Sequence, residues 1–157
     1  MKSKYIILIL LVVLIGISFL LEIFRDKVED YDVESITSMN FFYTNGYDMN
    51  ADVRYKIDCK EICIATIKPY HEEDSIEIEI TNDVVDKLIK VFNKYEVAKW
   101  NKFNETDKNV LDGDSFSLSV TYNNNKYIKA SGYMMFPENY GKVSEELDNI
   151  FNKLMEE

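Results

Sequence analysis

The chain has 157 residues, 46% hydrophobic and 29% charged, with 28 acidic against 18 basic side chains and a net charge of −10 at pH 7. That balance excludes a nucleic-acid partner, because phosphate binding needs clustered Lys and Arg. It argues equally against docking on anionic lipid head groups.

The first predicted element is the apolar run Tyr5 to Leu21, YIILILLVVLIGISFLL, which contains no charge. Extended to Phe24, it makes a helix of roughly 25–30 Å at ~1.5 Å per residue, enough to cross a bilayer. A cleaved secretory signal is the competing reading, with Lys2 and Lys4 as its basic start. The apolar run is longer than a signal core of roughly 7–15 residues, and LEIFRDKVED after it has no small-x-small cleavage pattern. The run therefore reads as an uncleaved anchor. Lys and Arg are nearly balanced on its two sides, so orientation rests on the short basic tail staying in the cytoplasm. The expected organisation is a cytoplasmic tail at 1–4, a single-pass transmembrane anchor at 5–24, a juxtamembrane stalk at 25–34 and one extracytoplasmic domain at 35–157. Beyond the two lysines before the anchor, 16 basic residues face 28 acidic ones, a net charge of −12. The plain meaning of such a surface is solubility.

Ile36 to Thr44 is a strand candidate, followed by Asn45-Gly46, a hairpin turn signal. In the next strand Val53, Tyr55 and Ile57 alternate with Arg54, Lys56 and Asp58. A two-residue turn would pair Phe41 with Asn50 and place Phe41 on the face opposite Tyr55. A bulge near Met49 to Ala51, or a first strand buried on both faces, would resolve the conflict. A three-residue loop, Lys60-Glu61-Ile62, pairs Ile57 with Ala65 and sets Cys59 opposite Cys63. Opposed cysteines on an antiparallel pair come near disulfide distance, with two reduced thiols as the alternative. His71 is the only histidine and falls in a turn, where it lacks a second ligand or a nucleophile. In SIEIEIT, Ile76, Ile78 and Ile80 point inward.

Thr81 or Asn82 can cap a helix over about Asp83 to Tyr95, with Val84, Leu88, Val91, Phe92 and Tyr95 at helical spacing. Glu96 to Thr106 reads as a loop and includes the glycosylation sequon Asn104-Glu105-Thr106. Phe116, Leu118, Val120 and Tyr122 alternate with Ser and Thr in the next strand. A three-residue loop at Asn123-Asn124-Asn125 then pairs Val120 with Ile128 and Leu118 with Ala130, with Asn125 left-handed. Met134 to Tyr140 is an apolar-aromatic loop, and Gly141 to Met155 a closing helix. The order ββββαββα indicates an α+β fold, a mainly antiparallel sheet with two helices on one face, preceded by one transmembrane helix.

No nucleophile elbow, zincin motif or phosphate loop occurs, so no cofactor and no catalytic residue is expected. The best binding candidates are the aromatics Trp100, Phe103, Tyr133, Phe136 and Tyr140, which either present a patch to a partner or plug one end of the core. The best metal candidates are Glu105, Asp107, Asp112 and Asp114, around an Asp-Gly-Asp turn that supplies oxygens as calcium sites do but lacks the regular loop. The plainer reading of these acids is a capped turn entering a strand.

The segment W-N-K-F…V-L-D-G-D-S-F-S-L-S-V-T-Y…A-S-G-Y…F-P-E-N-Y, Trp100 to Tyr140, resembles a pattern in an uncharacterised group of small signal- or anchor-bearing domains of Gram-positive bacteria. The resemblance implies bacterial origin and extracytoplasmic placement, and brings no activity with it. The expected function is a non-catalytic protein- or envelope-binding module on the cell membrane, its partners being the membrane through 5–24 and a protein. The alternative is a small hydrolase or metal-dependent enzyme using the acids around Asp112.

Overall fold

A computed structural model describes residues 31–46, 52–69, 72 and 74–156, together with Val13. The expected anchor at 5–24, Val13 apart, His71 and the bulge expected near Met49 to Ala51 lie outside the described residues. Among the described residues no helix is long and apolar enough to cross a membrane.

Period-two alternation builds most of the sheet. Strands β1 (Ile36–Thr44), β2 (Asp52–Cys59), β3 (Cys63–Lys68) and β4 (Ile76–Ile80) precede helix α1 (Asn82–Lys94) and a 3₁₀ turn at Val97–Trp100. Then follow β5 (Asn104–Thr106), β6 (Ser115–Tyr122), β7 (Lys126–Tyr133) and helix α2 (Tyr140–Glu156). The spatial order is β4-β3-β2-β1-β6-β7-β5. The architecture is α+β with two helices among the described residues.

The sheet is mixed, which corrects the antiparallel expectation. β5 runs parallel to β7, with Asn104 opposite Ser131 and Thr106 opposite Tyr133. Its three residues are all exposed, so no buried face marks it as a strand in sequence. Backbone bonds on either side hold it: Lys102 donates to Lys129 at 2.9 Å and Asp107 to Tyr133 at 3.0 Å.

The β1–β2 register resolves the face conflict by lengthening the connection. Phe41 pairs with Tyr55 and Met39 with Ile57, so the apolar positions share one face. β1 ends at Thr44 and β2 begins at Asp52, so Asn45-Gly46 is not a two-residue hairpin turn. Gly46 has no positive φ. Its backbone instead presses on Gly113, where an added Cβ would sit 2.3 Å from the Gly113 nitrogen. The other two hairpins have the predicted registers: Cys59 faces Cys63 and Ile57 faces Ala65, while Val120 faces Ile128 and Leu118 faces Ala130. Asn125 is left-handed at φ 74°, and Asn123 and Asn124 share the positive region.

Both helices cover the same sheet face. Val84, Val85, Leu88, Val91 and Phe92 of α1 and Val143, Leu147 and Phe151 of α2 join the core with Met39, Phe41, Ile57, Ile67, Leu118 and Val120. The inward row weakens at the β4 edge, where Ile80 is buried, Ile78 partly buried and Ile76 45% exposed. Ile76 still lies on the core face, opposite buried Ile67, but stays uncovered at the sheet's border. The opposite face is polar, with Arg54 lying 5.3 Å over the Phe42 ring.

Residues 31–34 belong to the compact unit Tyr31–Glu157. Two asparagines fix its entry. Asn93 accepts from the Val33 N–H and donates to its carbonyl, both at 2.8 Å. Asn123 accepts from the Glu34 and Ser35 amides and donates to the Asp32 carbonyl. Val33 is consequently as buried as any core residue.

Candidate functional site

Tyr43 extends the inward row of β1 beyond Phe41, to the point where β6 begins. On α2, Tyr140, Ser144 and Asp148 recur every four residues and form a stripe beside the apolar one. Where this stripe passes the ends of β1 and β6 there is a groove of about 450 Å³. Tyr43, Phe136 and Tyr140 supply aromatic surface to it, and Asp114, Glu145 and Asp148 supply carboxylates.

Asp148 is the most constrained of these groups. The Tyr55 hydroxyl donates to its Oδ1 at 2.7 Å, and Tyr43 forms a second hydrogen bond to it. Burial raises the Asp148 carboxyl above the usual aspartate range, and the two tyrosine hydrogen bonds only partly oppose this. The Tyr55 hydroxyl is in turn held far above the usual phenol range, first by burial and then by its bond to Asp148. Burial does the same to Tyr140, reinforced by nearby Tyr43.

The predicted aromatics divide. Phe116 is the hub of a ring cluster, with Trp100 at 6.3 Å, Phe103 at 6.1 Å, Phe136 at 5.8 Å and Tyr140 at 4.7 Å between centroids. Trp100 is core: it is 4% exposed, and its Nε1–H donates to the Glu138 carbonyl at 3.1 Å. Phe103 packs partly buried against the same core. Tyr133 is turned elsewhere, its hydroxyl donating to the Leu111 carbonyl at 2.7 Å. Phe136 and Tyr140 reach the groove, stacked at 4.6 Å, with Phe136 37% exposed.

The predicted acids do not converge. Glu105 is exposed on β5, Asp112 is exposed in a turn, and Asp107 closes a local turn by accepting from the Asn109 amide at 2.9 Å and its side chain at 3.0 Å. Asp114 alone reaches the groove, accepting from the Gly46 amide at 3.3 Å. Among the described residues no group of three or more His, Cys, Asp or Glu side chains could hold a metal ion. Cys59 and Cys63 are joined as a disulfide on the β2–β3 hairpin, away from the groove lining.

Tyr43, Tyr55 and Asp148 are site residues that the sequence reading missed. The available signal was the four-residue spacing of Tyr140, Ser144 and Asp148, which puts an acid beside the apolar stripe of α2. No protein-family model matches the chain, and no curated protein matches it either.

Proposed function

We propose that the chain is a single-pass, membrane-anchored extracytoplasmic module that binds a protein or envelope component at this groove without catalysis. The observation that carries the reading is Phe136, a large ring held at the surface by stacking on Tyr140 at the groove's edge. Supported aromatic rings beside a recess are the usual anchors of binding surfaces. The apolar run at 5–24, the acidic composition and the resemblance to anchor-bearing domains of Gram-positive bacteria supply the membrane and extracytoplasmic parts.

A photo-reactive residue at position 136 of the full chain, in the native membrane, tests the site. It is expected to cross-link one partner that Phe136→Ala, assayed by cross-linking from Ser144, no longer captures. An unchanged set of cross-links in Phe136→Ala refutes the groove as the binding surface. Membrane placement has its own assay. The full chain is expected to stay with membranes through an alkaline wash, and deletion of 5–24 to release it.

A further inference from the structure

We infer that the groove beside Phe136 recognises an alkylammonium or guanidinium group, presented as a Lys or Arg side chain of a basic protein segment. This rests on reading the groove as a binding site and names the chemistry of its partner. The charged residues lining it are Asp114, Glu145 and Asp148, all acids, with no Lys, Arg or His among them.

Three other recesses among the described residues carry cations beside their acids. The groove between α1 and α2 carries Lys87, Lys90, Lys94 and Lys153, and the recesses on the outer sheet face carry Lys56 with Lys60, or Lys56 with Arg54 and Lys68. Uniform surface acidity would not sort the cations this way.

Beside the acids stands an aromatic wall. A cation over an aromatic face gains electrostatic attraction from the ring, more so when partly desolvated, and a neighbouring carboxylate adds a charge-assisted hydrogen bond. Tyr43, Phe136 and Tyr140 line the same groove as the three carboxylates. Asp148 is pre-oriented by Tyr55 and Tyr43, and a carboxylate that accepts two hydroxyls keeps lone pairs for a further N–H donor. The negative net charge of the domain steers a basic segment toward it.

The test is calorimetric titration of the full chain, in a zwitterionic detergent, with the peptide acetyl-Gly-Lys-Gly-Lys-Gly-amide and with the same peptide acetylated on both lysine Nζ atoms. The lysine peptide is expected to bind saturably, and acetylation to weaken it about tenfold or more. Asp114→Asn/Glu145→Gln is expected to weaken it about tenfold as well, while Glu77→Gln/Glu79→Gln, which removes equal charge from β4, changes affinity about twofold or less. Equal binding of the two peptides, equal loss in the two double variants, or no saturable binding overturns the inference. Cross-linking separates its failure from that of the binding reading. A partner lost with Phe136→Ala but kept by Asp114→Asn/Glu145→Gln leaves the groove a binding site and removes the cation. A partner indifferent to both variants, with no peptide binding, removes both.

Discussion

Replacing Tyr55 by Phe isolates one hydroxyl. The ring is 3% exposed and stacks on Phe151 at 4.3 Å with an 8° interplanar angle, and Phe preserves that packing. What disappears is the 2.7 Å bond to Asp148. The carboxylate is half-buried, and Tyr43 is its other hydroxyl partner. A hydrogen bond to a charged group contributes about 1.5–3 kcal/mol, so Tyr55→Phe is expected to destabilise the domain by about 2 kcal/mol. For a domain of this size that lowers Tm by roughly 6–10 °C. The assay is a double-mutant cycle with Asp148→Ala, read by thermal melting of the full chain at pH 7. A coupling of about 1.5 kcal/mol between the two positions is expected. A Tyr55→Phe cost below about 0.5 kcal/mol, or the same cost with and without Asp148, refutes the account of how this carboxylate is held.

Asp148 also has a pH signature. Its folded-state carboxyl lies above the unfolded value, so its contribution to stability is greatest at low pH and declines as pH rises through the raised pKa. Asp148→Asn removes that decline, and its Tm relative to wild type is expected to improve from pH 4 to pH 7. Trp100→Ala is expected to cost about 3–5 kcal/mol, since it empties a core site, whereas Phe136→Ala costs about 1 kcal/mol or less; chemical denaturation distinguishes them. Gly132→Ala would place a Cβ 2.0 Å from the Met135 carbonyl oxygen and 2.7 Å from the Phe116 ring, and is expected to destabilise by about 1–3 kcal/mol. Reducing the Cys59–Cys63 bond opens a very short ring and is expected to cost about 2 kcal/mol, measured as a Tm difference with and without reductant.

Where one strand face is buried and the other wet, the sequence was readable to the residue. Ser115 to Tyr122 carried its partner register because only one pairing puts Ile128 and Ala130 against Val120 and Leu118. The cysteine hairpin followed from the same logic. Asn45-Gly46 misled because a turn dipeptide reports local preference, whereas the β1–β2 register is set by Phe41 and Tyr55 sharing the core face. β5 was invisible because its pairing is carried by backbone groups under three exposed side chains. No local pattern shows that Asn93 and Asn123 hold residues 32–35 from far along the chain. The site was half legible. Phe136 and Tyr140 stood out as loop aromatics, but Asp148 meets Tyr55 across 93 positions, and helix periodicity alone shows only that it lies beside the apolar stripe.

The parallel β5 has a further consequence, for association between copies. Without it, β7 would end the sheet as an open ladder of amides and carbonyls, a template for a strand from another molecule. Three exposed polar residues cover the Ser131–Tyr133 end of that ladder and offer little apolar surface in exchange. The opposite border is the short β4, whose Glu77 and Glu79 put like charges along it and repel an identical edge. With both borders blunted in this way, the domain can leave a broad polar sheet face open to water and, even when many copies are crowded together, resist strand-by-strand polymerisation.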